Sequence, residues 1–308
     1  MRILIEVPVW LGDAIMASVA INNLFKKFPE ARFTIFGSFV ATEIYKGFPV
    51  VESVVVDCSK KASNRYINLM KTAKEIGKFD LAFSFRRSFS SKFLFFFVKA
   101  DKKFKYARLT SKSTHQVKRY NDFIAHSLQC EFELTDLQIP YQAKKSEKPL
   151  LGLNPGATYG NAKRWYPSEF AKVAIALADK YDILIFGSPT ETEIANDIKQ
   201  ILKQNGVTNF VNLAGKTSIK ELCENIGSLS LFITNDSGPL HIAASYKIPT
   251  IAIFGPTIAN ETNGWNNPNE KIVSKKLHCQ PCMKRICPLE HHECMKLITA
   301  SDVIEVLK

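Results

Sequence analysis

No apolar run in this chain of 308 residues approaches the ~20 residues that a helix needs to cross a bilayer, which excludes a helical membrane span. The start, Met1-Arg2-Ile3-Leu4-Ile5, is too short an apolar stretch for a secretory signal and leads straight into a strand pattern. G-x-G-x-x-G is missing, which speaks against a nicotinamide enzyme. Asp-x-Asp is missing too, and with it the acidic metal-binding pair common in metal-dependent sugar transfer. Ala214-Gly215-Lys216-Thr217 has the ending of a P-loop, but Phe210 stands where the first glycine of that motif must be. Cysteine is present seven times, an odd number without an export signal, and this reads as reduced thiols in a cytoplasmic setting.

Acid is scarce in one place above all. The chain carries a formal charge of +12, and between Arg86 and Arg119 eleven basic residues, Lys112 among them, face a single acid, Asp101. The flanking charge points to an anionic partner, either nucleic acid or an anionic membrane. Inside that stretch runs Phe93-Leu94-Phe95-Phe96-Phe97-Val98, which is expected to be core.

What is there is an α/β rhythm. Strand patterns at 3–7, 32–37, 53–56 and 81–85 alternate with helical ones, the first helix being expected over about 14–28. The polar segment 142–149 interrupts the rhythm and reads as a linker. Strands then recur at 150–154, 183–186, 231–234 and 250–254, with helices near 168–180, 190–205, 219–226 and 239–246. The expected fold class is α/β, two doubly wound domains (1–145 and 146–308) facing one another across a cleft, with ligands at the C-terminal strand ends.

Three turns carry chemistry. Thr234-Asn235-Asp236-Ser237-Gly238-Pro239-Leu240-His241 joins a strand to a helix whose first residues include proline. Free backbone N–H groups and the positive end of a helix meet small polar side chains there, as in a phosphate site; helix capping by Asp236 or Ser237 is the plainer alternative. A second turn, Asn154-Pro155-Gly156-Ala157-Thr158-Tyr159-Gly160, ends a strand and is followed by Lys163 and Arg164, which reads as a diphosphate clamp with Thr158 donating a hydroxyl. The third places Asp13 behind Gly12, just after the first strand; it is either a general base at the ligand crevice or an N-cap.

Four thiols and three imidazoles lie between His278 and Cys294. Cys279, Cys282, Cys287 and Cys294 form a weak candidate for a structural zinc, with reduced thiols in a packed loop preferred.

Taken together, Val9-Trp10-Leu11-Gly12-Asp13, Asn154-Pro155-Gly156-Ala157 with Ala162-Lys163-Arg164-Trp165, Phe186-Gly187-Ser188, Asn212-Leu213-Ala214-Gly215, and Thr234-Asn235-Asp236-Ser237-Gly238 with His241 resemble glycosyltransferase family 9, the ADP-heptose:lipopolysaccharide heptosyltransferases. The resemblance spans nearly the whole chain, and the order and spacing of these segments make it specific. It implies a glycosyltransferase-B architecture of two Rossmann-like domains, the first binding acceptor and the second an ADP-sugar donor, with the last helix expected to pack back on the first domain.

The resemblance further implies metal-independent, inverting transfer of heptose from ADP-heptose onto the inner-core heptose of lipopolysaccharide, with no cofactor required. Asp13 would be the catalytic base. Lys163 with the backbone at Ser237 and Gly238 would neutralise departing ADP. Asp236 would hold donor sugar hydroxyls, and His241 would support either the sugar or the phosphate. Gly156, Thr158 and Ser188 complete the donor set. Glu191 or Glu193 would take the ribose, or simply complement a helix dipole. On the acceptor side, Gly12, Arg86, Arg87 and Lys92 would hold an anionic, lipid-linked oligosaccharide, the protein lying peripherally on the cytoplasmic face of an anionic inner membrane. The rival expectations are a heptosyltransferase acting on another core sugar, a nucleotide-sugar epimerase or hydrolase, and a non-catalytic nucleic-acid binder. The ordered phosphate-type turns argue against the last, so nucleic acid is not expected as a partner.

Overall fold

Apolar segments bounded by polar turns become parallel strands here because helices cover both faces of each sheet. The structure is a computed structural model and describes residues 1–111 and 113–307; Lys112, counted above, lies outside them. The chain divides into two units, Met1–Pro140 and a second beginning at Tyr141. That division falls a few residues before the boundary read from the sequence. Tyr141 O accepts from the Tyr246 phenol at 2.8 Å, and Lys144 N donates to Glu224 O at 3.0 Å, so the segment after Pro140 is tied to the second unit.

The first unit contains β1 (Arg2–Glu6), α1 (Leu11–Met16), α2 (Ser18–Lys27), β2 (Arg32–Gly37), α3 (Phe39–Glu43), β3 (Val51–Val56), α4 (Arg65–Glu75), β4 (Lys78–Ser84), α5 (Phe89–Phe97), β5 (Lys99–Lys105) and α6 (Gln116–Leu128). The sheet order is β3-β2-β1-β4-β5, and every pairing is parallel. Ile3, Leu4 and Ile5 of the central strand are fully buried. The chain winds one way from β1 to β3 and the other way from β4 to β5. Its switch point, where ligands of such sheets bind, therefore lies between the ends of β1 and β4.

Two expectations change here. The helix expected over 14–28 begins at Leu11 and breaks at Ala17 into α1 and α2, so Asp13 stands in the first turn and Trp10 holds the N-cap position. The Phe run is not all core. On α5, Leu94 and Phe95 are buried against Leu4, Phe36 and Ala82, whereas Phe89 is 70% and Phe96 77% exposed. Consecutive residues point all round a helix, and a helix lying on a sheet has only one side to bury.

The second unit contains β6 (Leu150–Asn154), α7 (Pro167–Leu177), β7 (Asp182–Ile185), α8 (Thr192–Gln204), β8 (Phe210–Asn212), α9 (Ile219–Gly227), β9 (Leu231–Asn235), α10 (Gly238–Ser245), β10 (Thr250–Ile253), α11 (Ala259–Thr262), β11 (Glu270–Val273), α12 (Glu293–Lys296) and α13 (Ala300–Leu307). Its parallel sheet runs β11-β10-β9-β6-β7-β8. The winding reverses between β6 and β9, the two strands whose turns carry the anion-type motifs. The final helix, expected to lie back on the first domain, packs on α7 and β11, and Ala300 N donates to Glu169 at 2.7 Å. None of the described helices is long and apolar enough to cross a membrane.

Candidate functional site

In the second unit, β6 and β9 lie side by side with Asn154 opposite Thr234 in register. Asn154 Nδ2 donates to Thr234 Oγ1 at 3.0 Å and to Ser237 Oγ at 2.9 Å, and Asn235 Nδ2 donates to Pro155 O at 2.7 Å. These bonds lock the two turns together, and two segments far apart in sequence become one site. Lys163 Nζ meets Asp236 Oδ2 at 2.5 Å, with side chains 12% and 4% exposed. Thr257 Oγ1 donates to the same carboxylate oxygen, also at 2.5 Å.

Ser237 holds the N-cap position of α10, yet neither its hydroxyl nor the Asp236 carboxylate caps the helix. The capping alternative is thereby set aside. Asp236 is committed to Lys163 and Thr257 instead, and the start of α10, with Gly238 and Pro239 in its first turn, has no side-chain cap. His241 is buried in the same helix.

Gly156 has a steric reason to be glycine. A Cβ there would lie 2.3 Å from the Glu191 carboxylate. Glu191 is buried and closes a capping box with Ser188, accepting from Ser188 N at 2.9 Å and from its hydroxyl at 2.8 Å. Its other oxygen lies 3.9 Å from Arg164. Glu193, by contrast, is exposed in the first turn of α8, and Thr158 is exposed beyond Gly156. Sequence reasoning missed Thr257, Tyr159 and Arg285. Lys163 Nζ sits 4.7 Å from the centre of the Tyr159 ring, and the Arg285 guanidinium 5.2 Å from it. The Gly255-Pro256-Thr257 turn after β10 was a legible signal, because it too ends a strand.

The cysteine loop leans on this site: Ala162 N donates to Arg285 O, and His292 Nε2 contacts Ala162 O at 3.0 Å. Cys279, Cys282, Cys287 and Cys294 line one small pocket with His291 and His292, and all four are free thiols. Burial, reinforced by the other three cysteines, pushes the Cys294 thiol up to about 11, so it stays protonated. Among the described residues, no three metal-ligating side chains are grouped to share an ion.

Glu270, at the start of β11, accepts from Gly264 N at 2.8 Å. Burial pushes its pKa from 4.5 up to about 7; the Gly264 amide opposes this and the Asp236 charge adds to it. The native protein thus keeps this proton over a pH range where the unfolded chain has released it, and stability falls as pH rises from about 4.5 through about 7. Glu270→Gln is expected to flatten that slope. Thermal melts at pH 5 and pH 8 should place the variant a few degrees above wild type at pH 8 only. A variant less stable at both values would show that the carboxylate is needed as such.

In the first unit, Asp13 is partly exposed at the end of β1. The Tyr120 hydroxyl donates to Asp13 Oδ1 over a long 3.4 Å. Burial first, and the Asp13 charge after it, raises the Tyr120 phenol well above its ordinary value, so this group donates rather than accepts. Gly12 is buried beside it.

Arg86 departs from the expected free basic surface. It follows β4, its side chain is only 9% exposed, and it lies 3.5 Å from Glu6 and 3.7 Å from Asp57, with Nε donating to Val7 O at 2.6 Å. Glu6 also accepts from Ser84 and Ser91. Burial raises its pKa, against the pull of Arg86. Arg86 therefore cross-ties the ends of β1 and β4 and the turn after β3. Arg87 and Lys92 are exposed.

Two doubly wound parallel sheets, one with a cation, a carboxylate and an uncapped helix start gathered at its switch point, have the fold of the glycosyltransferase-B class. The profile of glycosyltransferase family 9 (heptosyltransferase) matches residues 69–293. Lipooligosaccharide heptosyltransferase 2 of Campylobacter jejuni (serotype O:2, strain ATCC 700819 / NCTC 11168) is 44% identical, covering 100% of this chain and 98% of its own length. Among solved structures, a glycosyltransferase family 9 protein from Veillonella parvula superposes with a TM-score of 0.81 at 22% identity, over 99% of this chain and 95% of that one. The E. coli ADP-heptose lps heptosyltransferase II gives 0.76 at 23%, over 100% and 97%. The chain belongs to glycosyltransferase family 9.

Proposed function

We propose that this protein transfers L-glycero-D-manno-heptose from ADP-heptose to the inner-core heptose of lipopolysaccharide or lipooligosaccharide, with inversion and without a metal. The observation that carries the reading is the junction of Lys163, Asp236 and the start of α10 at the β6/β9 switch point. A cation and the uncapped, positive end of a helix suit a diphosphate, and a carboxylate with a threonine hydroxyl suits sugar hydroxyls. The relative named lipooligosaccharide heptosyltransferase 2, alike over its full length, supports the choice of substrates.

In this reading the second unit binds the donor and the first the acceptor. Asp13 takes the proton of the acceptor hydroxyl as its oxygen bonds to the anomeric carbon from the face opposite ADP. The bond from that carbon to the diphosphate oxygen breaks, and the charge that collects on ADP is met by Lys163 and the positive end of α10. Positive charge supplied by the protein does what a metal ion does in Asp-x-Asp enzymes. The acceptor is lipid-anchored, and the protein works peripherally on the cytoplasmic face of an anionic membrane.

The test is a transfer assay with ADP-heptose and truncated lipopolysaccharides of defined core length, with and without chelator. Product should form only on acceptors that end in the inner-core heptose, and chelation should leave the rate unchanged. Loss of activity on chelation overturns the metal-free mechanism. Donor consumed without acceptor would mark an epimerase or hydrolase.

A further inference from the structure

We infer that the outer face of α4 and α5 is the surface by which this protein docks on an anionic lipid bilayer. The inference rests on the proposed function for its purpose, a lipid-anchored acceptor, but its observations are independent of the active site.

Phe89, Phe93, Phe96 and Phe97 recur at the spacing of one helical stripe, and the opposite side of α5 is occupied by Ser91, Leu94 and Phe95, all buried. The outer stripe is continuous. Ring centroids are 5.9 Å apart for Tyr66 and Phe89, 5.0 Å for Tyr66 and Phe93, 5.0 Å for Phe93 and Phe97, and 5.1 Å for Phe96 and Phe97. Phe89 and Phe96 stand outermost at 70% and 77% exposure, joined by Ile67 at 48%. A single exposed phenylalanine needs no explanation, but a connected aromatic strip does. The strip is also rigid: Arg65 of α4 donates to Ser90 of α5 at 2.9 Å, and Lys103 Nζ donates to the Phe95 carbonyl at 2.8 Å.

Charge decides the occupant. From 65 to 105 there are three acids and eleven basic residues, ten of them apart from the buried Arg86. Asp101 is paired with Lys78 at 2.9 Å, and Asp80 accepts from Arg2 N at 2.6 Å, so Glu75 is the one acid without either of these ties. Lys71 and Lys74 of α4, Lys92 of α5, and Lys99 and Lys105 of β5 are exposed on the elements that carry or flank the strip. A second copy docking symmetrically would set lysines against lysines. A bilayer with anionic headgroups satisfies both components, since phenylalanine side chains enter the acyl boundary while lysines stay at headgroup level.

The experiment is co-sedimentation of the full chain with phosphatidylcholine vesicles, with and without phosphatidylglycerol, at low and high salt. Wild type should bind the anionic vesicles, and salt should weaken it. Phe89→Ser with Phe96→Ser should bind at least ~10-fold less, because both rings are exposed and contribute mainly outside the fold. Lys71→Glu with Lys99→Glu should abolish the preference for the anionic lipid. Both variants should melt as wild type does and transfer to a delipidated acceptor at the wild-type rate. Serine variants that still bind like wild type overturn the inference. So does a wild type that ignores phosphatidylglycerol, or one whose dimer, seen by sedimentation velocity, dissolves in the serine variant. Vesicle binding needs no substrate, so a protein that binds vesicles but transfers no heptose sinks the enzymatic reading and leaves this surface standing.

Discussion

Asp13→Asn is expected to lower heptose transfer by at least ~100-fold while ADP binds almost as before. Asparagine has the same shape and still accepts the Tyr120 hydroxyl, which in the native protein donates to Asp13 Oδ1 at 3.4 Å. What it cannot do is take a proton from the attacking alcohol. The substitution also leaves α1 intact, since Trp10, not Asp13, occupies the N-cap. Loss of turnover with an unchanged melting temperature would therefore isolate the proton transfer from any effect on folding. Initial rates give the first quantity and calorimetric titration with ADP the second. Unchanged turnover would remove Asp13 from the mechanism.

Lys163→Met should act on the other unit and on two properties at once. Loss of a charge-assisted contact to the diphosphate is worth ~1.5–3 kcal/mol, or about 10- to 100-fold in affinity for ADP. The variant also strands Asp236, whose side chain is 4% exposed. Removing one partner of a buried pair costs about 3–5 kcal/mol, and the lower end is expected because Thr257 still donates to the carboxylate. Adding Asp236→Asn should restore much of the stability and none of the affinity. That separation distinguishes a ligand-binding cation from a purely structural one. A single variant that binds ADP like wild type would end the case for Lys163 as part of the donor site.

Much of the fold was legible because buried parallel strands are near-continuous apolar runs. Ile3-Leu4-Ile5 and Leu231-Phe232-Ile233 could hardly be anything else, and the turns behind them end in small polar residues. β5 escaped notice for the opposite reason: Lys-Ala-Asp-Lys-Lys-Phe-Lys has only Ala100 and Phe104 to turn inward, too few to betray a strand. The Phe run misled because composition says how apolar a segment is and not how many of its sides find a partner. Arg86 misled likewise, since a guanidinium in a basic stretch looks solvated until Glu6 and Asp57 are brought to it by β1 and the turn after β3. The pairing of Lys163 with Asp236 was half visible. Each motif could be read alone, but only the parallel register of Asn154 with Thr234 shows that they meet.

The lysines of β5 have a consequence for life at high local concentration. β5 ends the order β3-β2-β1-β4-β5, so among the described residues no strand pairs with the outer rim of its amides and carbonyls. Such a rim is a template on which another chain can polymerise. Four lysines in seven residues make that recruitment self-defeating, because an identical strand arriving alongside would bring the same charges with it.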